Sequence, residues 1–183
     1  KGIWRRTSLQ SFKTDEPDWE IVLDVDALNE EEGENWVWHG AECLPPDYER
    51  CLVSLSRGGA DADVVREYDI SKKSWVEGGF FLPEAKGSAA WIDLDTLYVQ
   101  TDFGEGSMTD SGYPRIVKQW TRGTELSSAT VVYKGEAKDM WIGAYRDHEP
   151  GYERDFVYRG LTFYTSELYE RTKKGLQKLA KPD

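Results

Sequence analysis

The sequence predicts an all-β chain, a partial β-propeller of about three and a half four-stranded antiparallel blades. Tryptophan-bearing apolar runs around Trp38, Trp91 and Trp141 recur at intervals of 53 and 50 residues. Each run opens a block of short apolar-aromatic segments separated by Gly, Asp, Asn or Pro, and several strands per period of about 50 residues mark stacked blades. The 17 Gly, 8 Trp, 10 Tyr and 6 Phe fit tight turns between strands with aromatic residues packed across them.

The elements follow in order. Gly2–Ser8 and Trp19–Val25 read as the last two strands of a blade, a half unit over 1–28. The charge run Glu30–Glu34 reads as a solvated loop. Unit 36–82 takes Trp36–Leu44, a turn at Pro45–Asp47, Tyr48–Ser56, a turn at Arg57–Gly59, Asp63–Ile70 and Ser74–Glu77. Unit 88–135 takes Ala89–Asp93, Thr96–Thr101, Arg115–Arg122 and Ala129–Tyr133. Unit 139–181 takes Met140–Arg146, Asp155–Tyr158, Leu161–Arg171 and Gly175–Leu179, with a C-terminal helix from Tyr164 to Leu179 as the alternative.

Composition sets limits on function. With a net charge of −11 the chain lacks the basic footprint of a nucleic-acid or anionic-membrane binder. It contains no apolar run long enough to span a bilayer. Its first residue is Lys1 with no signal-like stretch behind it, which reads as a chain cut at its N-terminus. Cys43 and Cys51 face each other if the hairpin turns at Pro46–Tyr48, so a disulfide is within reach, although two buried reduced thiols are the simpler expectation. The compartment reading is cytoplasmic, with a periplasmic alternative.

Chemistry is sparse. No G-x-S-x-G elbow occurs, so the exposed serine of an α/β-hydrolase is missing. His39 and His148 lie far apart in sequence, on or beside inner strands, and read as packed or capped side chains rather than as triad members. No metal-ligand spacing and no cofactor motif is present, so no metal and no cofactor are expected. Asp24 with Asp26 and Asp93 with Asp95 sit where Asp serves a turn. Trp36, Trp38, Trp75, Trp91, Trp120 and Trp141 read as filling between blades rather than as a sugar platform. No catalytic residue is expected in this chain.

The longest unpatterned connection is Asp102–Pro114, between the second and third strands of unit 88–135. Glycine and serine fill five of the twelve positions Asp102–Tyr113, so the loop is expected to be functional and mobile.

The stretches Trp4–Phe12 (WRRTSLQSF), Leu52–Ile70 (LVSLSRGGADADVVREYDI) and Thr101–Gly123 (TDFGEGSMTDSGYPRIVKQWTRG) together resemble the N-terminal propeller of the prolyl oligopeptidase family. The resemblance covers essentially the whole chain. It implies a seven-bladed propeller in the complete protein and a separate C-terminal α/β-hydrolase domain, as partner, with a Ser/Asp/His triad that cleaves short peptides, usually after proline. It also implies that the loop matching Asp102–Tyr113 faces the hydrolase and gates access; Asp102, Phe103, Gly104, Glu105, Gly106, Asp110 and Tyr113 are its candidate gating residues. An apolar residue before the inner strand approaches substrate in some members, but Lys86-Gly87-Ser88 stands there, and that role is not carried over. A non-enzymatic interaction scaffold and a carbohydrate-active propeller are the rival readings. A chain of three and a half blades leaves apolar faces uncovered, so self-association is expected.

Overall fold

A computed structural model describes residues 2–180. Lys1 and the last residue of the expected unit 139–181 lie outside the described residues. Four antiparallel sheets follow one another along the chain. The first pairs β1 (Ile3–Arg6) with β2 (Glu20–Asp24). The second holds β3 (Trp36–Cys43), β4 (Arg50–Arg57), β5 (Asp63–Asp69), β6 (Ser74–Trp75) and β7 (Phe81–Ala85). The third runs in the order β8 (Ser88–Asp93), β9 (Thr96–Gln100), β10 (Ile116–Thr121) and β11 (Thr130–Lys134). The fourth runs β12 (Trp141–Asp147), β13 (Arg154–Gly160), β14 (Ser166–Thr172) and β15 (Gly175–Lys178).

The sheets stack because their strands bury both faces, so alternate residues serve different neighbours. In β4, Cys51, Val53 and Leu55 join a core with Val22, Val25 and Leu28, while Leu52 turns to Trp91, Leu97 and Val99 of the third sheet. In β9 the alternation repeats: Leu97 and Val99 face the second sheet, and Tyr98 packs with Ile142 and Val157 of the fourth. Each pair of successive sheets therefore shares one apolar core.

Polar ties cross the same interfaces. Glu67 on β5 accepts from Arg122 Nη1 and Nη2 at 2.8 and 3.1 Å, from Arg50 Nη1 at 3.2 Å and from the Phe80 amide at 2.9 Å. Trp91 Nε1 donates to the Glu42 carbonyl at 2.9 Å. Arg171 donates to the Tyr98 hydroxyl at 2.9 Å and to Gln119 at 2.8 Å. Desolvation pushes the Tyr98 hydroxyl up to about 12, the Arg171 bond opposing it, so the phenol stays neutral in this interface.

Four local expectations are corrected. Glu30–Glu34 is not simply a loop: the helix Val25–Glu32 (α2) runs into it, and Leu9–Phe12 (α1) forms a short turn of helix before β2. Asp24 caps α2 by accepting from Asp26 N and Ala27 N, Val25 and Leu28 are buried, and Gly33 ends it at φ 67°. The fourth strand of the second sheet is shorter than Ser74–Glu77, and β7 pairs with β5 beyond it. The break follows from Glu67, whose carboxylate takes the Phe80 amide while Gly79 N turns back onto the Val76 carbonyl. Leu161–Arg171 is not one strand, because Thr162 Oγ1 accepts from Tyr164 N and Thr165 N and turns the chain before β14. From Ser166 the backbone is strand rather than the alternative helix.

The last correction concerns the cysteines. Cys43 and Cys51 are directly opposed in the β3–β4 register and joined in a disulfide, with Cα atoms 3.9 Å apart, so neither is a free thiol. The paired aspartates behave as expected: Asp93 Oδ1 accepts from Asp95 N at 2.9 Å and from the Thr96 hydroxyl.

Candidate functional site

A cavity of about 460 Å³ opens where the loop after β9, the connections that enter β8 and β12, and the β13–β14 turn converge. Its architecture is set by glycines. A Cβ on Gly87 would meet the Gln100 carbonyl oxygen at 2.3 Å, so only glycine lets the chain enter β8 against the end of β9. Trp141 is the first residue of β12 and pairs with Gly160. Its indole lies flat across the neighbouring strand, stacked on Tyr158 at 4.6 Å between ring centroids. A Cβ on Gly143 would strike that ring at 2.8 Å, and one on Gly160 would crowd it at 3.1 Å. Two glycines thus seat Trp141 as a platform that remains 44% exposed, beside the cavity it lines.

Trp36, Trp91 and Trp120 are buried between sheets as expected, and Trp38 and Trp75 are partly buried against the first core. Trp141 is the exception. It begins its strand, whereas Trp91 is the fourth residue of β8, so similar spacing along the chain concealed a different place in the sheet.

Tyr113 and Phe163 add aromatic walls to the cavity, and Lys86 and Asp61 are the only charged residues among its described lining. Lys86 Nζ lies 4.8 Å from the Tyr113 ring centroid and 3.5 Å from Asp61 Oδ2. Gln100, Ser88 and Thr162 add polar lining, with Gln100 Nε2 donating to Ser88 Oγ at 2.5 Å.

Of the candidate gating residues, only Tyr113 reaches this cavity. Asp102 closes the start of the loop, its Oδ1 accepting from Gly104 N at 2.8 Å and from Ser107 Oγ at 3.0 Å. Phe103 packs against the core of the third sheet, with Lys118 Nζ 4.1 Å from its ring centroid. Gly104, Glu105 and Gly106 form an exposed arch, tied at its end by Arg115 Nε donating to the Gly106 carbonyl at 2.7 Å. Asp110 donates its amide to the Ala137 carbonyl at 2.7 Å, and Thr109 Oγ1 to the Met140 carbonyl at 3.3 Å. The second half of the loop is therefore stitched to the strand entry that carries Trp141, by polar bonds rather than apolar anchors.

The histidines have defined partners. His148 Nε2 lies 3.0 Å from the Trp91 carbonyl, a contact between sheets. His39 lies 3.1 Å from Ser56 Oγ through Nε2 and 2.7 Å from Asp63 Oδ1 through Nδ1, a Ser-His-Asp chain that distance in sequence hid. Desolvation raises the Asp63 carboxyl, opposed by His39. Ser56 is 0% exposed, so this chain ties three strands together. Among the described residues no cluster of three or more metal-ligating side chains occurs, and no helix is long and apolar enough to cross a membrane.

Blade-like four-stranded sheets in sequence, sharing cores face to face, with loops and a cavity at one end, define a β-propeller segment. Residues 1–171 match the family described as prolyl oligopeptidase, N-terminal β-propeller domain, and the chain belongs to that family. It is 45% identical over 170 residues to an uncharacterised peptidase of Sinorhizobium fredii, covering 92% of this chain and 23% of the relative. It is 30% identical over 142 residues to an uncharacterised peptidase of Rickettsia prowazekii, covering 73% of this chain and 20% of that protein. The structure of a post-proline cleaving enzyme from Rickettsia typhi superposes with a TM-score of 0.90 at 28% identity, covering 99% of this chain and 28% of that one. The chain thus spans about a quarter of the length of the relatives it matches.

Proposed function

We propose that this chain is the propeller part of a prolyl-oligopeptidase-like serine peptidase, admitting short peptides to a separate α/β-hydrolase domain and performing no chemistry itself. The observation that carries the reading is the family match over residues 1–171, in relatives about four times longer that are named as peptidases. The geometry supports it. The cavity, the Trp141 platform and the Asp102–Tyr113 loop share one end of the stacked sheets, where a partner domain would enclose them. Trp141, Tyr113 and Phe163 offer flat apolar surface suited to the rings and stems of a peptide. The Ser-His-Asp chain found among the described residues has its hydroxyl sealed from solvent, so it presents no nucleophile to a substrate.

The test compares this chain and the full-length peptidase on a proline-containing fluorogenic peptide, with and without a serine-reactive fluorophosphonate. The chain alone turns nothing over, and the full-length protein cleaves and is inactivated by the fluorophosphonate. Turnover by the purified chain would overturn the non-catalytic assignment, and a full-length protein indifferent to the fluorophosphonate would overturn the serine chemistry.

A further inference from the structure

We propose that the cavity reads an acidic residue of the bound peptide: Gln100 accepts that residue's main-chain N–H, and Lys86 takes its carboxylate. The inference rests on the peptide-admitting reading above and adds a substrate class to it.

Gln100 ends β9 with its side chain in the cavity lining and is only 6% exposed. Its amide nitrogen is committed to Ser88 Oγ, yet its Oε1 is buried with no hydrogen-bond partner among the described residues. Buried amide oxygens are normally satisfied, so one left without a donor on a residue that lines a cavity invites a ligand N–H. A peptide main chain carries an N–H at every residue but proline, so it is the natural donor at this depth.

Lys86 supplies the second half. Its partner Asp61 is 3.5 Å away with a side chain 72% exposed, a solvated pair that holds the ammonium weakly. The same ammonium rests beside the Tyr113 ring. A carboxylate arriving along the Trp141 and Phe163 walls meets Lys86 partly shielded from water, where the attraction exceeds that of the solvated Asp61 pair. Its methylene stem covers the aromatic surface that the cavity leaves exposed. A neutral residue at this position satisfies Gln100 but leaves Lys86 with Asp61 alone.

The experiment uses the full-length peptidase and peptide pairs that differ only by Glu or Gln at each position upstream of the cleaved bond. At one position Glu raises kcat/KM over Gln by about tenfold, the scale of a charge-assisted hydrogen bond. Lys86→Gln abolishes that preference, bringing the Glu peptide down to the rate of the Gln peptide in the same variant, and Lys86→Arg restores it. N-methylation of the same Glu lowers kcat/KM by about fivefold in the wild type, the scale of one neutral hydrogen bond, and has no such effect in Gln100→Leu. Should Gln100→Leu fail to fold, the N-methyl penalty in the wild type still decides. A Glu/Gln ratio near one at every position, or a preference unchanged in Lys86→Gln, overturns the inference while neutral peptides are still cleaved. Cleavage of no short peptide at all overturns the underlying reading together with it.

Discussion

Removing the Glu67 carboxylate should uncouple the second and third sheets. Glu67→Ala leaves the Arg122 and Arg50 guanidinium groups facing a fully buried position that held their shared anion. Breaking a buried ion pair from one side costs about 3–5 kcal/mol. The arginine side chains are 24% and 29% exposed, so water relieves part of the strain and the lower end applies. The Phe80 amide also loses its acceptor, which adds about 1–2 kcal/mol. The expected loss is therefore about 4–5 kcal/mol, or about 10–15 °C in Tm for a chain of this size. Glu67→Gln keeps an acceptor for Phe80 and should lose about half as much. Thermal unfolding followed by tryptophan fluorescence measures both, because Trp91 and Trp120 pack in the core between these sheets. A Tm within about 3 °C of wild type for Glu67→Ala would show that the apolar cores alone hold the sheets together.

Three further outcomes follow from the structure. Thiol titration of unfolded, unreduced protein should count no free thiol, and Cys51→Ser should cost about 2.5 kcal/mol in denaturant unfolding, from the 8-residue separation of the bridge; a count of two would show that the bridge does not form. Desolvation pushes the Asp139 carboxyl up, but hydrogen bonds from Arg159 and the Glu136 amide outweigh it and leave the group below its ordinary range. Its contribution to stability is thus present above the unfolded-state value near 3.8 and is lost as pH falls through the lower folded value; Asp139→Asn should flatten that acid limb, and an unchanged limb would contradict the assignment. In hydrogen exchange the Gly104–Gly106 arch should exchange well before β9, while the Thr109 amide, bonded to the Tyr113 carbonyl at 2.7 Å, should be protected; uniform protection across the loop would make it fixed structure throughout.

The inner strands were legible because they alternate residues between two cores. Val53 and Leu52, or Leu97 and Tyr98, carry that period in plain view. The helix Val25–Glu32 was hidden by its own charge, since only Val25 and Leu28 are buried and the Glu-rich remainder looks like a solvated loop. Hairpin register brought Cys43 opposite Cys51, but proximity does not declare a redox state. The site was harder to read. Trp141 matched the repeat closely enough to pass as filling, and only Gly143 and Gly160, on two different strands, reveal its platform. Lys86 and Gln100 carry no local pattern, and the backbone approach at Gly87 is what places them at one cavity. His39, Ser56 and Asp63 are likewise joined only by pairing of three strands.

A length series decides whether the propeller admits peptides by size, as proposed. The full-length peptidase is given one scissile sequence within peptides of increasing length and within an exposed loop of a folded protein, alongside a variant with the Gly104–Gly106 arch shortened. The expected result is that kcat/KM falls steeply with length and vanishes for the folded protein, and that the limit moves to longer peptides in the variant. Equal rates for short peptides and for the folded protein would contradict it.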